Sequence, residues 1–158
     1  FGLGYYGAYA ANSMRLEKGY RAWGSDLTTE RDLIEAGLST FCKLEGRHFL
    51  GSDALKNRLQ HSKRWQMKLL SIESDQQDPF YAHSLYVGDD TVGMVTSGGY
   101  GYRSQKTLAM AYLSDPEKAF EAHRGKEQPL EIRLLNKRYQ AVILDDIPFD
   151  PENARLKS

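Results

Sequence analysis

The side chains with the most obvious reactivity in this chain are four histidines and one cysteine. The histidines are His48, His61, His83 and His123. No two of them are four residues apart and no cysteine pair accompanies them, so their spacing predicts no metal site. A nucleophilic thiol needs a base nearby, whereas Cys42 stands in the segment between Phe41 and Leu44, where we expect it to be a small buried hydrophobe.

A glycine- and tyrosine-rich run, Gly98–Tyr102, could be mistaken for a loop that cradles phosphate. It lacks the Gly-Lys-Ser/Thr ending of such loops and does not open a helical pattern. We therefore predict a barrel corner, in which glycine tolerates positive φ and the tyrosines cover the turn.

Arg15 and Glu17 are the charged pair of a predicted helix. Because they are two residues apart, they point in different directions and are not expected to pair with each other. We expect each of them to bind a loop or a backbone group that lies outside this chain.

The bulk composition excludes several classes of partner. Lys and Arg together number 21, as do Asp and Glu, so the net charge predicts no attraction to nucleic acid or to an anionic membrane. No apolar run approaches the roughly 20 residues needed to cross a bilayer, and a single cysteine suits a reducing compartment. The chain begins at Phe1 without an initiator methionine, which we interpret as a cut inside a larger protein.

The first part of the chain is predicted to be a helix followed by an irregular arm. Residues 7–18 are mostly good helix formers, and Ala8, Ala11 and Met14 recur at helical spacing. We expect this small-residue face to pack against a neighbour that this chain lacks. Residues 19–46 are predicted to be irregular, and Ser52 is placed to cap a short helix.

From residue 64 the hydrophobic pattern alternates as in β-strands. We predict hairpins across Gly88–Asp90 and across Asn136–Lys137, and a short helix with Pro116 in its first turn. Five or six short strands, each with one apolar face, favour a closed barrel. The predicted fold class is mainly β with short helices: a small Greek-key-like β-barrel preceded by a helical and extended arm. The predicted domains are residues 1–46 for the arm and residues 47–158 for the barrel.

Two sequence blocks carry a family resemblance. The first reads SMRLEKGY from Ser13, WGSDLTTE from Trp23 and EAGL from Glu35, and the second reads GMVTSGG from Gly93 and SQKTLAMAY from Ser104. In this order and spacing they resemble the aminomethyltransferase (glycine cleavage T-protein) family. The segments FCKL from Phe41 and FLGSDAL from Phe49 look closer to its dimethylglycine and sarcosine dehydrogenase branch than to free-standing T-proteins.

The resemblance implies three parts around a folate channel. Residues 1–46 would be the remainder of an upstream folate-binding domain, and residues 47–158 the terminal barrel. In the dehydrogenase branch, an N-terminal half that carries FAD oxidises an N-methylamine, and the aminomethyltransferase half passes the one-carbon unit to tetrahydrofolate. The family's catalytic aspartate lies upstream, so the resemblance implies no catalytic residue here. The implied partners are upstream domains of the same polypeptide, folate and the N-methylamine, with neither nucleic acid nor a membrane.

Tyr20 and Trp23 fall where the family's helix leads toward the folate channel. Flat aromatic rings can stack on a pterin or an aminobenzoate ring, so the resemblance implies that these two residues form part of the folate side. The alternative is that both rings pack between domains.

Two positions depart from the family pattern. Ala11 stands where the glycine cleavage enzymes carry an arginine that contacts folate, and residues 148–155 lack the aromatic that helps to hold folate. These departures keep open a second hypothesis, that the chain belongs to a non-catalytic regulatory or scaffolding relative. A bacterial cytoplasm and the mitochondrial matrix fit both hypotheses.

Overall fold

The structure is a computed structural model that describes residues 2–60, 65–74, 77–125, 128–155 and 157. Its helices are Ala8–Glu17 (α1), Ser52–Leu59 (α2) and Pro116–His123 (α3), with one 3-10 turn at Ser39–Phe41. Its strands are Gln66–Ile72 (β1), Ser84–Val87 (β2), Asp90–Gly101 (β3), Lys106–Leu113 (β4), Leu130–Leu134 (β5) and Lys137–Ile143 (β6). His61 lies outside the described residues.

The strands close into an antiparallel barrel in the order β1-β4-β3-β2-β5-β6. β2, β3 and β4 follow one another as neighbours, β1 lies beside β4, and β6 returns to pair with β1. Because β1 precedes β2 in the chain but lies beside β4, these four strands form a Greek key. This confirms the predicted fold class.

Both predicted hairpins are present. The turn between β2 and β3 contains Gly88 at φ 62°. The turn between β5 and β6 is centred on Leu135 and Asn136, at φ 41° and 68°, one residue earlier than predicted. Positive φ at both central residues gives a turn whose twist matches the flanking strands, and asparagine tolerates this conformation better than most residues do.

The sequence suggested that the Gly98–Tyr102 run forms a barrel corner, and this prediction was wrong. Gly98 to Gly101 continue β3 in register with β4, and the turn follows after them. Glycine is required there by close approach and not by positive φ. A Cβ on Gly98 would overlap the carbonyl of Pro79, which lies directly against the strand.

Strand β4 is buried on both of its faces. Leu108, Met110 and Tyr112 point outward and form a cluster with Leu16 of α1. Ala109, Ala111 and Leu113 belong to the core inside the barrel. The large alternating residues from which this strand was predicted therefore mark its outer face, which the arm covers.

Helix α1 lies on the barrel through a face that combines Leu16 with polar residues. Ser13, Leu16 and Glu17 are its buried residues, whereas Ala8 is exposed and the Met14 side chain is 50% exposed. Ala8 and Met14 of the small-residue face are thus open, and Ala11 is partly buried.

Helix α3 begins as predicted. Pro116 occupies its first turn, and the Asp115 carboxylate accepts the Lys118 backbone N–H at 3.2 Å. Ala119 and Ala122 join the barrel core, and the helix contacts β2, β3, β5 and β6. The helix therefore covers the part of the barrel that these four strands form. Within the described residues, no helix combines the length and apolarity that crossing a bilayer would require.

Two local predictions in the connecting segment were wrong. Ser52 does not cap α2, because it is the first helical residue and Gly51, at φ 91°, precedes it. Its hydroxyl lies 3.1 Å from His48 Nδ1 instead. Cys42 is only half-buried and is not part of either hydrophobic cluster.

Candidate functional site

A buried carboxylate joins the arm to the barrel. Asp26 is completely buried, and its Oδ1 accepts hydrogen bonds from Thr96 Oγ1 at 2.5 Å and Ser97 Oγ at 2.7 Å. Its Oδ2 accepts the Ala22 backbone N–H at 2.8 Å and forms an ion pair with Arg15. A buried charge is tolerated when it is paired and fully hydrogen-bonded, and Asp26 meets both conditions.

A β-bulge lets two adjacent hydroxyls reach the same carboxylate. Successive side chains of a regular strand point to opposite faces, but the register of β3 against β4 shifts between Val95 and Ser97. The bulge re-aims the side chain at this point, so that Thr96 and Ser97 both face Asp26.

Arg15 links this carboxylate to the rest of α1. Its Nη1 also donates to the Tyr20 carbonyl at 3.1 Å, and its Nη2 donates to Asn12 Oδ1 at 2.7 Å. Asn12 in turn donates its amide to the Gly98 carbonyl at 3.0 Å, and Ser13 donates its hydroxyl to the Tyr100 carbonyl at 2.6 Å. Polar side chains of the helix thus donate to backbone carbonyls of β3.

Glu17 fixes the turn that follows β3. Its Oε1 accepts the backbone N–H groups of Arg103 at 2.8 Å and Ser104 at 2.7 Å, and the Ser104 hydroxyl at 2.9 Å. Arg15 and Glu17 do not bond to each other here, as expected. Their partners lie within this chain, however, and not outside it as the sequence analysis proposed.

Burial changes the acid–base properties of two residues beside Asp26. The Tyr112 hydroxyl donates to the Asp26 carbonyl at 2.9 Å, and burial raises the pKa of Tyr112 to about 12. The guanidinium of Arg31 lies 5.1 Å from the Tyr112 ring centre and 4.2 Å from that of Trp65. Burial also lowers the pKa of Arg21, whose Nε and Nη1 donate to the carbonyls of Ala36 and Gly19.

The C-terminal segment is held at the end of α1. Lys18 Nζ donates to the Asp150 carbonyl at 2.6 Å, to Asp150 Oδ2 at 3.2 Å and to Asn153 Oδ1 at 2.6 Å. Burial alone would raise the pKa of Asp150, but the hydrogen bond from Lys18 and those from the backbone of Arg155 and Ala154 outweigh it, and the pKa lies below its usual value. The segment is therefore anchored by charge as well as by its backbone.

A cavity of about 740 Å³ opens between α1, the second half of β3 and the loop at residues 78–81. Aromatic side chains line much of it: Tyr9, Phe80, Tyr81, Tyr100 and Tyr102. Five polar residues also border it and direct polar atoms to the contacts described above: Asn12, Ser13, Arg15, Thr96 and Ser97.

The two residues assigned to the folate side lie elsewhere. Tyr20 is 50% exposed and Trp23 is 76% exposed, and neither lines the 740 Å³ cavity. Both rings are open to a ligand or to a neighbouring domain, and their assignment to folate stays a prediction. The described residues contain no group of three or more histidine, cysteine, aspartate or glutamate side chains arranged to hold a metal ion.

The sequence pattern does not single out Asp26. This residue belongs to the segment 19–46 that is predicted to be irregular, where an acidic residue beside Gly24 and Ser25 is an ordinary turn signal. No spacing rule connects it to Thr96, which is 70 residues away in the chain.

Comparison with known proteins identifies the fold and the family. Residues 66–150 match the glycine cleavage T-protein C-terminal barrel domain, and residues 1–46 match the GCVT N-terminal domain. The structure of aminomethyltransferase T of the glycine cleavage system from Bartonella henselae superimposes with a TM-score of 0.72 at 26% identity, covering 89% of this chain and 38% of that one.

Curated relatives extend well beyond this chain. Mouse mitochondrial dimethylglycine dehydrogenase is 37% identical over 99% of the chain, and mouse mitochondrial sarcosine dehydrogenase is 32% identical over 96%. The mitochondrial pyruvate dehydrogenase phosphatase regulatory subunit of mouse is 30% identical over 87%. The chain spans only 18% of the length of the first of these proteins and 16% of the other two. With its barrel matched over 66–150 and its arm locked onto that barrel, the chain belongs to the glycine cleavage T-protein family.

Proposed function

We propose that this chain is the terminal part of a folate-dependent aminomethyltransferase-like half, in a flavin-dependent dimethylglycine or sarcosine dehydrogenase that passes a one-carbon unit to tetrahydrofolate. Residues 1–46 would complete an upstream folate-binding domain, and residues 47–158 would form the barrel domain. The observation that carries the proposal is the 37% identity to mouse dimethylglycine dehydrogenase over 99% of the chain. The contacts of Asp26 with Arg15, Thr96 and Ser97, here called the Asp26 lock, fix the arm on the barrel.

In this role the chain closes one side of a folate-binding cavity, and the other walls of that cavity lie in the upstream domains. Three large side chains just before α1 in the chain are at least 70% exposed: Leu3, Tyr5 and Tyr6. A surface this apolar is typical of a contact with another domain. The upstream domains of the same polypeptide are therefore the proposed partners, and catalysis would take place there.

The residues present fit part of a folate molecule. The exposed rings of Tyr20 and Trp23 offer flat surfaces for a pterin or an aminobenzoate ring. Ala11 offers no positive charge for the carboxylates of the glutamate tail, so that recognition would have to come from another residue. FAD, which supplies the oxidation of the N-methylamine when bound, would belong to the N-terminal half of the longer protein.

A second candidate function is a non-catalytic regulatory or scaffolding role. It is supported by Ala11 and by the likeness to a phosphatase regulatory subunit. A subunit of this kind would keep the Asp26 lock, since the lock stabilises the fold, without needing exposed rings at the folate side.

The mitochondrial relatives favour the mitochondrial matrix as the compartment of the longer protein. A bacterial cytoplasm is the other compartment that we propose. Fractionation of the source cells, with detection of the longer protein in each fraction, distinguishes the two.

Calorimetric titration of tetrahydrofolate into the longer protein tests the proposed function, with this 158-residue chain titrated in parallel. We expect saturable binding to the longer protein and none to the chain alone, because the other walls of the cavity lie upstream. Absence of binding to both would contradict the folate proposal and favour the scaffolding role.

A matched pair of variants tests the folate side. Trp23 and Tyr102 are both 76% exposed, but only Tyr102 lines the 740 Å³ cavity. In the longer protein, Trp23→Ala should weaken tetrahydrofolate binding roughly tenfold, as the loss of one stacking surface does, whereas Tyr102→Ala should leave it unchanged. Equal effects of the two substitutions would argue against Trp23.

A further inference from the structure

Arg31 of the arm carries a positive charge that no carboxylate of the described residues balances. The central carbon of its guanidinium lies 4.2 Å from the centre of the Trp65 ring and 5.1 Å from that of the Tyr112 ring, so the group stacks on aromatic surfaces. No carboxylate of the described residues forms an ion pair with it. The residues that precede Trp65 and lie outside the described part add no carboxylate: His61, Ser62, Lys63 and Arg64.

The acidic residues outside the described part belong to other regions of the barrel. Asp75 follows the end of β1 that pairs with Thr107, whereas Tyr112 lies near the other end of β4. Glu127 precedes β5, whose neighbours in the barrel are β2 and β6 and not β4. Neither residue is therefore placed by the strand order to serve Arg31.

The carboxylates near Arg31 in the chain have other surroundings. Asp32 forms an ion pair with Arg58 of α2 at 3.3 Å. Glu35 is buried, and its carboxylate accepts the Asp32 backbone N–H at 3.3 Å. Glu30 is exposed and makes no ion pair with Arg31. A guanidinium carries five N–H donors in one plane, and at Arg31 these donors meet no carboxylate from the described part of this chain.

Trp65 and α2 belong to a basic stretch of the sequence. Residues 56–68 contain five lysine or arginine residues and no aspartate or glutamate. Because Arg58 of α2 reaches Asp32, the end of this helix lies beside Arg31. We call Arg31, Trp65 and α2 together the Arg31 surface, and its charge is positive.

Helix α2 is little covered within this chain. Ser52 is its buried residue, whereas the Leu59 side chain is 53% exposed and Leu50, just before the helix, is fully exposed. No other helix or strand of the described residues packs extensively against α2. Since the chain spans only 18% of the length of mouse dimethylglycine dehydrogenase, a longer protein of this kind has the material to cover it.

We propose that the Arg31 surface docks onto an acidic surface of the upstream domains, from which a carboxylate binds the Arg31 guanidinium. A guanidinium that stacks on a ring keeps its N–H groups for a carboxylate that approaches in its plane, and such pairs are often bidentate. The excess of cations beside Arg31 favours an acidic partner through the same electrostatic complementarity. The proposal rests on the proposed function only in that this chain is the terminal part of a longer polypeptide, and it does not require folate to bind.

Hydrogen exchange of α2 tests the docking, measured by mass spectrometry without tetrahydrofolate in the longer protein and in the 158-residue chain. We expect the amides of α2 to exchange at least roughly tenfold more slowly in the longer protein, because a docked helix opens less often. Arg31→Gln should speed this exchange roughly threefold or more in the longer protein, since it leaves the partner carboxylate unpaired. In the isolated chain the same substitution should leave the exchange of α2 unchanged.

Arg138→Gln is the matched control, because the partners of Arg138 lie within this chain at Asp89 and Glu131. It should leave the exchange of α2 unchanged in both proteins. Equal exchange of α2 in the longer protein and in the chain would overturn the proposal. So would a slow exchange that Arg31→Gln does not speed, or an equal acceleration by Arg31→Gln in both proteins.

Cross-linking of the longer protein identifies the partner carboxylate. In Arg31→Lys, a carbodiimide joins the new amine to a carboxylate in contact with it, forming an amide with loss of water. We expect a peptide in which position 31 is joined to an upstream aspartate or glutamate. In the control Arg138→Lys, the new amine should join Asp89 or Glu131. Absence of an upstream cross-link from position 31, with the control joined as expected, would refute the proposal. Neither experiment contains folate, so this proposal and the folate proposal can fail independently.

Discussion

At the scale of single residues, Asp26 combines complete burial with a fully occupied carboxylate. Four donors converge on its carboxylate, one from α1, one from the arm and two from β3. Replacement by asparagine removes the charge opposite Arg15 and puts an amide N–H₂ group among donors. Asp26→Asn should therefore lower the free energy of unfolding by about 3 kcal/mol, measured by urea denaturation. Asp89→Asn, which removes an exposed ion pair with Arg138, should lower the free energy of unfolding by less than about 1 kcal/mol, and equal effects of the two substitutions would contradict the proposed lock.

Tyr112 gives the fold a dependence on alkaline pH. Burial raises its pKa to about 12, above its ordinary value near 10, so the unfolded chain loses this proton first. The contribution to stability is fully present below pH 10 and is lost as the pH rises through about 12. Urea midpoints at pH 9 and pH 11 should fall more in the parent chain than in Tyr112→Phe. A parallel fall in both proteins would count against this role.

At the scale of elements, the end of β3 carries glycine where its backbone lies closest to a neighbouring segment. A Cβ on Gly98 would overlap the Pro79 carbonyl, whereas one on Gly99 would lie at ordinary contact distance, 3.4 Å from Asn12 Nδ2 and 3.5 Å from Leu16 Cδ1. Gly98→Ala should thus destabilise the protein by about 1 to 3 kcal/mol. Gly99→Ala is the matched control and should change stability by less than about 0.5 kcal/mol. Thermal unfolding of the two variants measures the difference, and a larger loss for Gly99→Ala would refute it.

At the scale of the whole molecule, the arm and the barrel core both pack against strand β4. The outer side chains of β4 pack with α1 while its inner side chains form the barrel core, so neither part can lose its packing alone. We expect one cooperative transition. In the variant Trp23→Phe, Trp65 is the remaining tryptophan, and its fluorescence reports the contact with Arg31 of the arm. Circular dichroism reports the strands of the barrel. Coincident urea midpoints would support a single unit, and an earlier fluorescence transition would mean that the arm detaches first.

The sequence by itself determined the barrel, its hairpins, helix α3 and the family, because alternation, turn residues and helix caps act over a few neighbouring residues. It did not determine which face of α1 meets the barrel. The helical spacing pointed to the small residues as the packing face, whereas the partners of Asn12, Ser13 and Glu17 are backbone groups of β3 and its turn, more than 80 residues away in the chain. Only the tertiary structure brought Asp26 to Thr96 and Ser97, 70 and 71 residues away, because a bulge re-aims those hydroxyls after the strands have paired. The aromatic cavity has the same origin. Its walls come from three segments that are far apart in the chain: α1, the loop at residues 78–81 and β3.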